Sequence, residues 1–367
     1  GAVWARSSTD RSRSPARIIA SIARPRAPKP DPPPMPAITT LIPAYKKQFL
    51  GETLLGLARQ TFRDFRVVLS DDSPGEEITQ LLQAGHFGDI TKHLDLTVVR
   101  GPKHARLNHQ QLMDLWAGST PFVHLMLDDD VVFPEFYRSH MVAHHGGRYS
   151  ASVSRRWITH GDTRPVMPIN QPAFVANSPL MHVPVDEQQL FSSMVPTCNN
   201  WIGEFSNIVM SAEGARCYPR PPASELSYYG WLDVGFLLTA VQKAPLVILR
   251  DHLGIFRQHP DQTTHHLRSH GGRVSSLAWV TSALQAWREG RIAPADVVTA
   301  LSWNVRQCLE RFGEDDPVIN ESFQLVAAHG ASLPDLYAAW KPFWLRLLAS
   351  HPVTAPATVA AQEPALA

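Results

Sequence analysis

Between Ile38 and Leu127 short β-rich apolar runs alternate with stretches of helical period, and two of those runs end in clustered aspartates. Ile38 to Pro43 reads as a strand, and Leu50 to Gln60 as a helix with Leu50, Leu54, Leu57 and Ala58 on one face. Arg66 to Ser70 is a second strand, closed by Asp71 and Asp72. A helix over Ile78 to Ala84, a strand over Leu94 to Val99, a helix over Asn108 to Ala117 and a strand over Phe122 to Leu127 complete the series. Regular alternation predicts an α/β fold, Rossmann-like, with a mostly parallel central sheet flanked by helices. Ligands of such sheets bind outside the carboxyl ends of the strands. Both acidic turns, at Asp71 and at Asp128, fall at such ends.

The second turn is the sharper signal. Asp128, Asp129 and Asp130 follow a buried strand, and three adjacent carboxylates repel one another. A cation would offset that repulsion, and hard oxygen ligands suit Mg²⁺ or Mn²⁺. The plain alternative is a solvated loop that caps the next helix. No GxxxxGK[ST] is present, and no GxGxxG follows the first strand, so a nucleotide here would not rest on a P-loop or a dinucleotide fingerprint.

Composition removes several classes. The chain has 34 basic and 33 acidic side chains, so its overall charge gives no reason to expect a nucleic-acid partner. Residues 1–36 carry seven basic and two acidic side chains; with the whole chain at +1 and this segment at +5, the rest stands at −4. Seven prolines between Pro25 and Pro36 predict a disordered tail, read as a solvated linker, a membrane-surface basic segment or a transit peptide, in that order. Cys198, Cys217 and Cys308 show neither CxxC spacing nor an even count, which fits a reducing cytoplasm. No apolar run approaches the roughly 18 residues of a membrane span. The expectation is a cytoplasmic protein without a transmembrane segment, at most peripheral to the inner face of a membrane.

The segment Leu41 to Ser73, LIPAYKKQFLGETLLGLARQTFRDFRVVLSDDS, together with Val98 to Asn108, LMLDDD, Trp201 to Ser206 (WIGEFS) and Leu232 to Thr264, closing in FRQHPDQTT, resembles the family 2 glycosyltransferases. These have the nucleotide-sugar-binding GT-A fold. The resemblance covers about residues 37–264 and implies four divisions: the tail 1–36, a GT-A domain 37–264, a helical C-terminal extension 265–350, and an Ala/Pro/Thr-rich tail 351–367. Two departures stand out: Lys46 occupies a position where the family often has Asn, and Leu232 one where an acid frequently precedes the catalytic Asp.

By position, the resemblance implies that Pro43, Ala44 and Tyr45 line a nucleobase pocket and that Asp71 or Asp72 accepts a hydrogen bond from the base or ribose. The alternative is that these two Asp cap the helix that starts near Glu76. Arg100, His104, Arg106 and Asn108 are implied at phosphate or sugar, with solvation the alternative for the loop cations. Asp128, Asp129 and Asp130 would hold the ion against the diphosphate, with His259 reaching toward it. Asp233 would be the catalytic base; locally it would also serve as an N-cap for a helix from Val234 to Gln242. Trp201 and Glu204 would shape the acceptor side or simply pack. The implied donor is a nucleoside-diphosphate sugar, UDP-linked by preference, and the acceptor a hydroxyl of a glycan or lipid-linked molecule. A non-catalytic nucleotide-sugar or glycan-binding scaffold is the alternative. A sugar nucleotidyltransferase fits less well, because Ala44 to Leu50 lacks that class's glycine-rich phosphate loop.

Four further expectations follow from the residues. Arg155 to Asn199, with six prolines and no sustained period, reads as an irregular lid or mobile loop. His140 and His144, and the group His265, His266 and His270, lack HExxH or cysteine partners and read as solvated faces. Beyond His270, helical faces (Leu277, Val280, Leu284, Trp287; then Val297, Leu301, Val305, Cys308, Phe312, stopped by Gly313) lead to helices at Phe323 to Val326 and at Leu336 to Leu347, the last interrupted by Pro342. Most of Trp279, Trp287, Trp303, Trp340 and Trp344 are expected in a core.

Overall fold

The computed structural model describes residues 35–160, 165–168, 170–259 and 268–350. The predicted tails, apart from residues 35 and 36, lie outside these, as do His265, His266 and the boundary expected at 264.

The N-terminal half follows the predicted alternation. Strand β1 (Ile38–Ala44) leads to α1 (Lys47–Ala58), β2 (Phe65–Asp71) to α2 (Glu77–Gln83), β3 (Leu96–Arg100) to α3 (Ala105–Trp116), and β4 (Phe122–Leu125) runs into the aspartates. β1 is buried along its whole length, as an inner strand covered on both faces must be. After β4 come β5 (Val131–Val132), α4 (Phe136–His145), β6 (Ala151–His160), β7 (Pro165–Pro168), α5 (Ala173–Ala176), β8 (His182–Val185), α6 (Glu187–Met194), β9 (Ile208–Ser211), α7 (Ala212–Ala215), α8 (Leu232–Ala240) and β10 (Leu246–Gln258). Four helices close the described chain: α9 (His270–Arg288), α10 (Pro294–Phe312), α11 (Pro317–His329) and α12 (Leu333–Ala349).

Among the described residues the ten strands form one sheet in the order β3-β2-β1-β4-β9-β6-β10-β5, with β7 on β6 and β8 on β10. The first four strands are parallel. From β4 onward the pairing is mixed: β9 runs antiparallel to both β4 and β6, β6 and β10 are parallel, and β5, β7 and β8 are antiparallel to their partners. The N-terminal half of the sheet, β1 to β4, is therefore wholly parallel. Beyond it, antiparallel pairings surround the long parallel pair β6 and β10.

The stretch from Arg155 to Asn199 is not an irregular lid. It contains the end of β6, all of β7 and β8, and α6, which is closed by a capping box between Asp186 and Gln189. Its prolines obscured the strands because β7 and β8 lie at sheet margins, where a missing N–H leaves no ladder bond unmade. α12 likewise continues through Pro342.

Two cores lie against the sheet. One gathers Ile42, Leu54, Phe65, Phe136 and Tyr137 around α1 and α4. The other joins β6 and β9 to α6, α8 and the C-terminal helices, with Trp201, Phe236, Leu284, Trp340 and Trp344 in one continuous cluster. Trp279, Trp340 and Trp344 are buried as expected, whereas Trp303 is exposed. Gly313 ends α10 with φ 73°, as its sequence position predicts.

His140 and His144 correct the expectation of a solvated face. His140 is fully buried and hydrogen-bonded to Ser152 Oγ at 2.6 Å; His144, half-buried, reaches the Val209 carbonyl at 3.3 Å. Both lie on the side of α4 that packs on β6 and β9. Burial holds the His144 imidazole down at about pH 4 and His140 well below its usual value.

Candidate active site

The register of the parallel strands brings the predicted residues to one edge. Ala44 pairs with Asp71 across β1 and β2, and Asp71 pairs with Arg100 across β2 and β3. β4 runs beside β1 with Leu125 opposite Leu41, so the aspartates after β4 emerge next to Tyr45. Pro43 and Ala44 are buried and Tyr45 is exposed, at the rim of the edge.

The two aspartates after β2 differ. Asp71 is fully buried and uses both oxygens: Oδ1 accepts from Ser73 N (3.0 Å) and Ser73 Oγ (2.5 Å), Oδ2 from Thr79 N (2.8 Å) and Thr79 Oγ1 (2.6 Å). Burial would raise its pKa, but these four bonds outweigh it and hold the carboxyl below its usual value. Asp71 thus ties the start of α2 to the end of β2, the capping alternative. Asp72 accepts from the Lys103 amide, and burial pushes its carboxyl up against the pull of the Lys103 and His104 amides.

The loop cations are engaged rather than solvated, except His104, which is exposed and caps α3 through Nδ1. Arg100 Nη1 donates to the carbonyls of Asp71 and Ser73 at 3.4 Å. Arg106 lies over the Tyr229 ring, 4.8 Å from its centroid, and donates to its hydroxyl, joining α3 to the loop before α8. Asn108 is buried, and its Oδ1 has no hydrogen-bond partner.

Each member of the triplet points to a different anchor. Asp128 Oδ2 accepts from the amides of Tyr45 and Lys46, both at 2.6 Å. Asp129 Oδ2 meets Lys46 Nζ at 2.6 Å and His259 Nε2 at 3.1 Å. Asp130 Oδ1 accepts from Arg257 N at 3.0 Å, while its Oδ2 is buried without a hydrogen-bond partner. Burial, then the charge of Asp129, pushes Asp128 up to about 6 and Asp130 well above the carboxylate range. Arg257, fully buried, braces the turn: Nε donates to the Asp129 carbonyl at 3.0 Å, Nη2 to Glu52 at 2.5 Å, and the guanidinium lies 4.5 Å from the Phe49 ring centre.

Among the described residues no three His, Cys, Asp or Glu side chains converge on a single metal position. The donors nonetheless suit a divalent ion: carboxylate oxygens carry more negative charge than their surroundings favour, Asp130 Oδ2 lacks a partner, and His259 Nε2 lies beside Asp129 Oδ2.

Asp233 lies in the first turn of α8, whose N-cap is Trp231, so it is not the N-cap of a helix beginning at Val234. Its Oδ1 accepts from the Val234 amide at 2.8 Å, and the side chain is half-buried. Burial, followed by the charge of Glu204, pushes its carboxyl up to about 7. Glu204 also raises Asp130, so the triplet and Asp233 lie within electrostatic reach of one carboxylate. Glu204 in turn is paired with Arg156, whose guanidinium covers Gly203, where φ is 126° and a Cβ would collide with it. Trp201 is buried and donates through Nε1 to Ser193 Oγ at 3.1 Å, a packing role.

Sequence reasoning did not find Arg156, Tyr218 or Tyr229. Tyr218 is buried with its hydroxyl unpartnered, and the charges of Asp233 and Arg106 both act on it. None of the three stands in a recognisable spacing; only the fold collects them.

No protein-family model matches the chain, and no curated protein matches it by sequence. Solved structures do. Residues 1–349 of S. aureus TarS in complex with UDP-GlcNAc superpose with a TM-score of 0.55 at 15% identity, over 84% of this chain and 90% of that one. The same TarS piece in complex with UDP gives 0.50 at 14% identity, over 84% and 89%. A longer TarS structure gives 0.51 at 15% identity and covers 85% of this chain, which spans 52% of it. The chain has the GT-A fold, a central sheet flanked by helices, followed by a C-terminal helical extension.

Proposed function

We propose that the chain is an inverting glycosyltransferase that moves a sugar from a nucleoside-diphosphate donor, a UDP-sugar by preference, to a hydroxyl of a glycan or lipid-linked acceptor. The observation that carries this is the sheet edge itself, where the buried aspartates after β4 come up beside Tyr45, Lys46 and His259 and next to the β1–β2 end that bears Ala44, Asp71 and Asp72. TarS, of the same fold, is solved with UDP-GlcNAc and with UDP.

In this reading the base and ribose lie along Pro43, Ala44 and Tyr45 with Asp72 beneath, since Asp71 has spent both oxygens on α2. Asn108, with a buried free oxygen, and Arg106 border the donor from α3. Asp128, Asp129, Asp130 and His259 would hold Mg²⁺ or Mn²⁺, which when bound supplies countercharge for the departing diphosphate. Asp233 takes the proton of the acceptor hydroxyl as that oxygen attacks the anomeric carbon from the face opposite the leaving group. The C1–O bond to the diphosphate breaks as the new glycosidic bond forms, which inverts the centre. A carboxyl pushed up to about 7 is a stronger base than an ordinary aspartate, yet is half ionised near neutrality. Three free cysteines agree with a reducing cytoplasmic setting, and among the described residues no helix is long and apolar enough to cross a membrane.

The test is turnover. Purified protein with Mn²⁺ and a panel of nucleotide sugars should release nucleoside diphosphate from one donor, and Asp233→Asn should lower that rate by about 10²–10⁴-fold while donor binding persists. Binding of a donor without any transfer or hydrolysis would overturn the enzymatic reading. Normal turnover in Asp233→Asn would remove Asp233 from the mechanism.

A further inference from the structure

Lys46 makes two contacts with the triplet from one residue. Its backbone amide donates to Asp128 Oδ2 and its ammonium to Asp129 Oδ2, each at 2.6 Å. The side chain is 20% exposed and Asp129 6%, so little water screens the pair. Asp129 Oδ2 is the triplet oxygen with an imidazole beside it, His259 Nε2 at 3.1 Å. It is therefore the position where a carboxylate and a nitrogen ligand already meet, and an ammonium lies on it.

A divalent ion and an ammonium compete for that oxygen. Both are strongly attracted to it, and they repel each other at contact distance. The remaining members of the triplet offer no equal substitute: Asp128 is held by two amides, and the orphan Oδ2 of Asp130 is enclosed. Lys46 lies in the connection between β1 and α1, pinned at its backbone by Asp128, so its ammonium turns about a fixed point.

We propose that Lys46 is a tethered cation that competes with the divalent ion for Asp129, so that the donor-free protein binds the ion weakly. The claim rests on the glycosyltransferase reading only for the purpose of the ion; the competition is a property of the chain alone.

The experiment is Mn²⁺ binding to the full chain without donor, read from the loss of the free-Mn²⁺ electron paramagnetic resonance signal and by calorimetry. Lys46→Met should bind Mn²⁺ at least about tenfold more tightly than wild type, and Lys46→Arg, which keeps the charge, should not. Adding Asp129→Asn to Lys46→Met should abolish the gain. Lys46→Asn serves as a second uncharged variant, and a thermal melt of each reports folding. Equal affinity in wild type and both uncharged variants, or no binding in any of them, would overturn the proposal. Because turnover is not read, the two ideas separate: a tenfold gain without sugar transfer by wild type overturns the function and leaves Lys46 in its role, whereas transfer without the gain does the reverse.

Discussion

Arg156 Nη2 donates to Glu204 Oε1 at 2.7 Å, and with Arg156 only 5% exposed the pair is a buried countercharge for the carboxylate that raises Asp233. The rate should therefore follow pH through Asp233. In the proposed mechanism its deprotonated form is the active one, so kcat/KM should climb as pH rises and level off above an apparent pKa near 7. Glu204→Gln removes a negative neighbour and frees the Arg156 charge to act on Asp233. Both changes ease deprotonation, so the rising limb should move to lower pH by about one pH unit. A profile of kcat/KM against pH for the two proteins reads this directly, and an unmoved limb would sever Glu204 from Asp233.

The triplet should weaken the empty protein. Asp130 is buried, and its pKa is raised by burial and then by Asp129, so the folded state holds its proton more tightly than the unfolded chain does. Between the ordinary carboxylate range and that raised value, stability falls as pH climbs, so the cost is already felt at neutral pH. Asp130→Asn keeps an oxygen for the Arg257 amide and removes the charge. Its Tm at pH 7 should exceed that of wild type by roughly 2 °C or more, with the gain disappearing toward pH 4. A lower Tm at pH 7 would mean that the charge is stabilised where it lies.

The parts of this site that sequence could reveal are those written in short range. β1 to β4 announce themselves as apolar runs, the aspartates follow directly on a strand, and α9, α10 and the Gly313 stop obey the helical period. What it concealed depends on partners far along the chain. β9 enters the sheet between β4 and β6, and no local pattern states that Met210 will face Val123 on one side and Ala151 on the other. His140 carries the same residue type whether it is solvated or sealed against Ser152, and only the sheet behind α4 decides between these. Lys46 was visible as a departure from a pattern, but its meaning required Asp129, 83 positions away, to be brought within 2.6 Å.

Acid should unfold the protein through its buried histidines. His124 is fully buried between Tyr137 OH and the Ser206 carbonyl, each at 3.0 Å, and burial holds it down at about 4; His144 is likewise at about 4. A histidine with a lowered folded pKa contributes stability above its unfolded value, near 6.5, and loses it as pH falls toward the folded value. For His124 this loss is on the order of 3 kcal/mol by pH 4. Urea denaturation at pH 7, 6, 5 and 4 should show a falling midpoint, starting below pH 6.5. His124→Gln should flatten part of that fall even if it costs stability at pH 7, and an unchanged slope would assign the acid loss elsewhere.

The C-terminal helices should matter to the loop that leads into the Asp233 helix, and Gly230 is where the two meet. It has φ 134°, a conformation that favours glycine, and a Cβ there would lie 2.7 Å from Ala278 Cβ on α9 and 3.0 Å from the Trp344 ring on α12. Trp231, the next residue, packs edge-on against Trp279 with ring centres 5.6 Å apart. Two helices of the extension thus fix the backbone directly before α8, and with it the start of the helix that presents Asp233. Gly230→Ala should cost about 2–4 kcal/mol, from the strained dihedral together with the overpacking. If the loop shifts to relieve the clash, kcat should fall further than stability at the assay temperature explains, while donor affinity changes little because β1, β2 and the triplet are untouched. Ala278→Gly in the same chain removes the nearest obstructing carbon and should recover part of both losses. Full stability and full rate in Gly230→Ala would show instead that the extension merely rests against the loop without holding it.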